Sequence, residues 1–119
     1  IFIEKAVKSE DITVYGDGEQ TRDFIYVKDI VGALTFAAET AGVTGVFNAG
    51  YGGQITINKL AGEILAKAGT RTRVIHAAER AGDVKHSRAS ADKLLAAGWK
   101  PRFTLEEGLA ATFAYFSNR

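Results

Sequence analysis

The chain of 119 residues is long enough for a single domain, and because 46% of its residues are hydrophobic it can bury a core. Fifteen basic residues nearly balance fourteen acidic ones, which argues against a protein built to bind nucleic acid or an anionic membrane. No apolar run approaches the ~18–20 residues of a membrane span, and no cysteine is present for a disulfide or a thiolate metal site. This composition fits a cytoplasmic protein.

The first residues indicate a helix that is already under way. Ile3, Ala6 and Val7 are spaced as one helix face, and no capping residue precedes them. The chain also contains no methionine, although translation starts with one. We therefore expect residues 1–119 to be a fragment whose true start lies upstream.

A strand over Ile12–Tyr15 comes next, followed by a Gly-Asp-Gly turn and a second strand over Asp23–Val27. The glycines permit a tight reversal, so we expect the turn to hold Arg22 beside a sheet edge. A guanidinium held there suits a phosphate or carboxylate, because its planar fork donates two parallel hydrogen bonds. The alternative is an exposed ion pair with Asp17 or Asp23, which would contribute little stability.

Strands and helices alternate along the rest of the chain, which predicts an α/β arrangement. The predicted elements are a helix over 30–40 capped by Asp29, a strand over Val46–Ala49, a helix from its cap Thr56 to Gly69, a strand over Arg73–His76, a helix over 91–97 capped by Ser90, and a last helix opened by a capping box at Thr104 and Glu107.

The chain shows no complete catalytic, cofactor or metal motif. Gly50–Gly53 lies between a strand and a helix, but Ile55 stands where a dinucleotide fingerprint has its third glycine, and no carboxylate follows about 20 residues later. We expect a structural turn there. His76 and His86 have no companions at metal-ligand spacing, and no serine lies in a Gly-x-Ser-x-Gly elbow.

A second charged run, ERAGDVKHSR, covers residues 79–88 and is expected to be a loop. Arg80 could hold a diphosphate through its guanidinium, and Asp83 could accept hydrogen bonds from ribose hydroxyls. The alternative is a solvated loop in which these two side chains pair with each other. The residues alone leave both interpretations open.

The resemblance to a known family lies in three runs, which follow one another as YGDGEQTRDFIYVKD, VFNAGYGGQITINKLA and ERAGDVKHSRASADKLLAAGWKPRFTLEEGL. Together they resemble the C-terminal half of the extended short-chain dehydrogenases that act as NAD-dependent nucleotide-sugar epimerases and dehydratases. The resemblance covers nearly the whole chain and is strongest to UDP-glucose and UDP-N-acetylglucosamine 4-epimerases. UDP-glucuronate decarboxylases and dTDP-glucose dehydratases are near neighbours. It implies that residues 1–119 are the small mixed α/β substrate-binding part of a Rossmann-type isomerase.

The resemblance also implies a substrate site for a UDP-hexose. In the family, the arginine of a Gly-x-x-x-Arg-Asp-aromatic run holds the nucleotide diphosphate, and this role falls on Arg22. The Arg-x-Gly-Asp run assigns Arg80 to the diphosphate and Asp83 to the ribose. The position four residues after that aspartate lies beside the sugar, and here it is Ser87, whose small side chain implies room for an N-acetyl group.

The family's glycine-rich cofactor loop and its Tyr-x-x-x-Lys catalytic pair are absent, since no tyrosine here is followed by a lysine four positions later. The resemblance therefore implies that NAD and catalysis belong to a missing N-terminal part, and that this fragment alone is inactive. We expect it to expose apolar surface on Val46–Ala49 and on the helix over 30–40, and to form homo-oligomers. The alternative to part of an enzyme is a noncatalytic binding module.

Overall fold

The computed structural model of the chain describes residues 1–69, 72–83, 85 and 90–118. Helices and strands follow one another as α1 (Phe2–Val7), β1 (Ile12–Tyr15), β2 (Thr21–Arg22), α2 (Val27–Glu39), β3 (Ile55–Thr56), α3 (Ile57–Ala68), β4 (Val74–Ala77), α4 (Asp92–Ala97) and α5 (Leu105–Ser117). The predicted mixed α/β class is confirmed. Across the described residues, no helix has the length and apolar character needed to cross a bilayer.

Two small sheets organise the chain. β1 and β4 pair in parallel, with Ile12 opposite Val74 and Tyr15 opposite Ala77. β2 and β3 pair in antiparallel fashion, with Arg22 beside β3. Parallel neighbours need a crossover connection, and α2 and α3 lie in the long connection between β1 and β4.

The larger core lies between α1, β1 and α3. Leu60, Ala61 and Ile64 of α3 pack with Ile12 and Val14 of β1, and both β1 side chains are almost completely buried. The other two residues of β1 are exposed, as the two-residue period of a strand requires. This alternation leaves the last side chain of β1, Tyr15, free of the core at the end of the strand.

The predicted start and end of α3 and the predicted start of α5 are confirmed. The Thr56 hydroxyl accepts a hydrogen bond from the Lys59 N–H, and Gly69 ends α3 in a left-handed conformation with φ 62°. At α5 the capping box is complete, because the Thr104 and Glu107 side chains each accept from the backbone N–H of the other. Both helices therefore begin where the sequence predicted.

The prediction of a second strand over Asp23–Val27 is wrong, and so is the strand over Val46–Ala49. Only Thr21–Arg22 forms a strand in the first region, and α2 has already begun at Val27. Phe24 packs against the larger core, while Phe47 packs against a smaller core between α2 and α4. Their aromatic side chains are partly buried without a strand ladder, so a pattern typical of strands arose from packing alone.

The prediction that Asp29 caps α2 is also wrong. Asp29 lies within the first turn of the helix and is only 3% exposed. Its two carboxylate oxygens accept hydrogen bonds from the backbone N–H groups of Arg102, at 2.8 Å, and Phe103, at 3.1 Å. The side chain therefore ties α2 to the segment before α5 instead of satisfying its own helix.

One apolar row of α2 is exposed, although the helix also packs into the smaller core. Ala33 is buried, whereas Val27, Val31 and Leu34 are 65%, 54% and 68% exposed. Residues spaced by four and three lie on one side of a helix, and we call this exposed set the α2 stripe. Val46 is 83% exposed as well. The expectation of exposed apolar surface on these two segments is thus confirmed.

Replacing Asp29 with alanine is expected to lower the free energy of unfolding by about 2–3 kcal/mol, because two part-buried N–H donors lose a charged acceptor. Equilibrium urea unfolding with an unchanged m value measures the difference. Asp92→Ala, at an exposed position in α4, is the matched control and should change the free energy by less than about 0.5 kcal/mol. Equal losses in the two variants would contradict a bridging role for Asp29.

Candidate functional site

A cavity of about 340 Å³ opens at the carboxyl ends of the parallel strands β1 and β4. Ligands commonly bind at this edge of an α/β sheet, because the loops that leave the strands converge there. The lining comes from the loop after β1, from the end of β1 itself and from the loop after β4, and comprises Tyr15, Gly16, Asp17, Glu19, Gln20, Glu79, Asp83 and Lys85.

Asp83 lines this cavity and forms an ion pair with Arg80. The Arg80 Nε lies 3.4 Å from Asp83 Oδ2, and the Arg80 guanidinium lies 4.4 Å from the centre of the Tyr15 ring. The Arg80 side chain is 63% exposed and that of Asp83 is 27% exposed, so their ion pair is weak and easily opened. The structure therefore contains the Arg80–Asp83 ion pair of the solvated-loop interpretation. It also places that pair beside a cavity, as the substrate-binding interpretation requires.

Tyr15 is a candidate site residue that sequence reasoning missed. It is 41% exposed, lines the cavity and presents its ring to Arg80. The two-residue period of the strand could have indicated this position from the sequence. If Ile12 and Val14 face the core, Tyr15 must lie on the opposite side at the strand end, and the structure has this alternation.

Arg22 is not brought into the same cavity. It lines a second cavity of about 390 Å³, together with Tyr51 and Lys59 among others, and its Nη1 donates to the Thr21 carbonyl at 2.7 Å. Among the residues that the structure describes, Arg22 forms no ion pair with Asp17 or Asp23. The alternative interpretation of Arg22, an exposed ion pair with one of these aspartates, is therefore not found among the described residues.

The two regions are joined through the backbone. The Thr21 N–H donates to the Lys85 carbonyl at 2.7 Å, which connects β2 to the loop that carries Asp83. Arg22 is the next residue after Thr21 and lies opposite Ile55 in the β2–β3 pair. Its backbone is therefore anchored beside the Asp83 loop, although the residue lines the second cavity.

The glycine-rich turn before α3 is structural, as predicted. Asp23 accepts hydrogen bonds from the Gly52 N–H at 3.1 Å and from the Gly53 N–H at 3.2 Å. Gly52 has φ +90°, a backbone conformation that favours glycine. Because a carboxylate of the chain already occupies these amides, the turn offers no cradle for a phosphate.

The first turn of α3 offers no cradle for a phosphate either. Its first N–H donates to the Gln20 carbonyl at 3.1 Å, its second to the Gly18 carbonyl at 3.0 Å and its third to the Thr56 hydroxyl at 3.1 Å. A helix start binds phosphate only through amides that lack an internal partner. The described residues therefore do not fit the pyrophosphate of a dinucleotide at either place.

Two predicted residues lie outside the described part of the chain: Ser87, assigned by resemblance to the sugar, and His86. His76, the other histidine, places its Nδ1 2.9 Å from the Gly16 carbonyl at the edge of the first cavity. Nothing in the described structure tests the assignments of Arg22, Arg80, Asp83 and Ser87 to a substrate, and they stay predictions.

Comparisons with known proteins agree on one family. Residues 1–50 match the model of the NAD dependent epimerase/dehydratase family. The chain is 33% identical over its full length to UDP-glucose 4-epimerase of Mycolicibacterium smegmatis, and 36% identical over 98% of its length to UDP-glucuronic acid decarboxylase 1 of Danio rerio. It spans only 38% and 28% of the lengths of these two relatives.

Solved structures that resemble this chain include members of the same family of enzymes. UDP-N-acetylglucosamine 4-epimerase from Methanobrevibacter ruminantium M1, in complex with UDP-N-acetylmuramic acid, is 39% identical and superposes with a TM-score of 0.91 over 98% of this chain and 38% of its own. Two other matching structures, both of 4-epimerases, contain NAD. The matches along the whole chain and the shared fold show that this chain belongs to the NAD dependent epimerase/dehydratase family, in which it corresponds to less than half of the relatives' length.

Proposed function

We propose that this chain is the substrate-binding part of a nucleotide-sugar 4-epimerase and that it holds the UDP moiety of a UDP-hexose. The observation that carries the proposal is that Tyr15 and Asp83 line one cavity at the carboxyl ends of β1 and β4, and that Arg80 contacts both of them. An aromatic face, a guanidinium and a carboxylate are the groups that a base, a diphosphate and a ribose require.

The weak pairing of Arg80 with Asp83 suits this role. Both side chains keep contact with solvent, so separating them costs little free energy. On binding, Arg80 would exchange one long contact for charge-assisted hydrogen bonds to the diphosphate, and Asp83 would accept from the ribose hydroxyls. Arg22 would reach the diphosphate from the neighbouring cavity, since a long arginine side chain can turn while its backbone stays anchored.

The chemistry of the reaction is proposed to lie outside this chain. NAD supplies hydride transfer in this family, but the amides that could cradle its pyrophosphate are occupied by Asp23 and by the loop carbonyls. The chain also lacks a tyrosine followed by a lysine four positions later. Its proposed share is to bind and orient the substrate, and we expect it to be inactive alone.

The missing N-terminal part is the proposed partner of the α2 stripe. Val27, Val31 and Leu34 form a row of exposed apolar side chains on one helix, and such rows are usually covered in a complete protein. The relatives contain more than twice the length of this chain, which is enough for a domain that covers the row. Without that part, two copies of the chain would cover each other's stripes.

A UDP-glucuronate decarboxylase is the second candidate. The Danio rerio decarboxylase is 36% identical to this chain, against 33% for the Mycolicibacterium smegmatis epimerase. The residues that separate the two reactions are expected upstream of this chain. An assay of the parent protein on UDP-glucose and UDP-N-acetylglucosamine, following inversion at C4, tests the first candidate. Turnover of UDP-glucuronate with neither of the other two would replace it by the second.

Replacing Arg80 with alanine in the parent protein is expected to weaken UDP-sugar binding by about ten- to a hundredfold, because one charge-assisted contact contributes roughly 1.5–3 kcal/mol. Arg22→Ala should have an effect of the same size if both arginines hold the diphosphate. The Michaelis constant and isothermal titration with UDP measure the change. Arg102→Ala is the control, since that side chain is exposed and lies outside both cavities. An unchanged Michaelis constant in Arg80→Ala would refute the assignment.

Replacing Ser87 with tyrosine should narrow the range of sugars. A bulky side chain beside the sugar would exclude the N-acetyl group, so turnover of UDP-N-acetylglucosamine should fall at least tenfold relative to UDP-glucose, which corresponds to about 1.4 kcal/mol of discrimination. The ratio of kcat/KM for the two substrates measures this. An unchanged ratio would remove Ser87 from the sugar site.

The isolated chain is expected to self-associate through the α2 stripe and to bind a hydrophobic dye. Leu34→Glu places a charge in the stripe and should shift the population to monomer, as sedimentation velocity would show. Leu95→Glu is the matched control, because Leu95 is exposed on α4, outside the stripe. If the wild-type chain is monomeric and binds little dye, the proposal that the α2 stripe is covered by a partner would be contradicted.

A further inference from the structure

The loop that carries the Gly-Asp-Gly turn, residues 16–20, is fastened to the first turn of α3. The Gln20 carbonyl accepts from the Ile57 N–H and the Gly18 carbonyl accepts from the Asn58 N–H, at 3.1 and 3.0 Å. The loop also closes on itself, because the Gln20 side chain donates to the Tyr15 carbonyl at 3.1 Å. Every residue of this loop except Gly18 lines the first cavity.

The Asn58 side chain makes the most specific contacts with this loop. Its Nδ2 donates to the Asp17 carbonyl at 2.8 Å and to Glu19 Oε1 at 2.9 Å, so both hydrogens of the amide group have acceptors. Gly18 is buried against the same amide, and a Cβ built on it would overlap the Asn58 side chain. Gly18 has φ +75°, a conformation that favours glycine in any case.

The α3 helix does not need this side chain for its own start. Thr56 caps the helix by accepting from the Lys59 N–H. The backbone N–H of Asn58 bonds to the loop, and this bond does not depend on which side chain residue 58 carries. Within the part of the chain that the structure describes, the hydrogen bonds of the Asn58 side-chain amide all end on residues 17–19. The side chain therefore serves the loop and not the helix.

We propose that Asn58 is a positioning residue that holds the 16–20 loop in its binding shape before the nucleotide arrives. The inference rests on the proposed function of the first cavity. The loop continues into Thr21, whose N–H bonds to the Lys85 carbonyl, so the restraint extends to the segment that carries Asp83. If the loop is already ordered, binding does not have to include the entropic cost of ordering it. The affinity for the nucleotide is therefore higher, while the chemical step is unchanged.

The test compares Asn58→Ala and Asn58→Asp with the matched control Asn118→Ala in the parent protein. Asn118 is exposed at the end of α5. Asn58→Ala is expected to raise the dissociation constant for UDP about tenfold, the effect of losing two ordinary hydrogen bonds, while kcat changes less than twofold. Asn58→Asp keeps the shape but cannot donate, and its carboxylate would face Glu19, so we expect at least the same loss.

Two outcomes would overturn the proposal. One is an unchanged dissociation constant in Asn58→Ala, and the other is wild-type affinity in Asn58→Asp, which would mean that only the volume of the side chain matters. A fall in melting temperature with an unchanged dissociation constant would assign Asn58 to stability alone and overturn the proposal in the same way.

Hydrogen exchange separates this inference from the proposed function. Asn58→Ala should speed amide exchange within residues 17–20 at least tenfold, while Asn118→Ala leaves it unchanged. If the wild-type parent binds no UDP, the proposed function fails. Faster exchange in Asn58→Ala would then still show that Asn58 holds the loop, and unchanged exchange would refute that as well.

Discussion

The parallel pairing of β1 with β4 is the constraint on which the candidate site depends. These strands are distant in the sequence, and their pairing places the loop after Tyr15 beside the loop after Ala77. The register is held because Ile12 and Val14 are buried on one side of β1, and a shift by one residue would turn both toward solvent. The cavity at the carboxyl ends of the strands exists only in this register.

A second level of order comes from the backbone donors around the cavity. The amides at the start of α3 bond to the 16–20 loop and to Thr56, and the amides of the glycine-rich turn bond to Asp23. Internal partners make these segments rigid and at the same time withdraw them from phosphate binding. The charged side chains at the strand ends, Arg80 and Asp83, have weaker partners and keep their capacity for a ligand.

The elements whose formation depends on local chemistry were predicted from the sequence. The cap at Thr56, the glycine that ends α3 and the capping box at Thr104 each join residues only three or four positions apart, so the local sequence contains the whole interaction. The errors fall where a distant partner decides. Phe24 and Phe47 meet two cores instead of neighbouring strands, and Asp29 meets backbone amides that lie far along the chain.

The sequence by itself determined the α/β class, both ends of α3, the start of α5, and the charged runs that contain Arg22, Arg80 and Asp83, because each depends on short-range spacing and residue chemistry. Only the tertiary structure decided which of these charges share a cavity. It placed Asp83 and Tyr15 in one cavity, with Arg80 over the Tyr15 ring, and Arg22 in its neighbour. It also showed that Asn58 reaches across to the loop beside them. Such pairings arise from strand register and long-range hydrogen bonds, which no spacing within a single run of residues expresses.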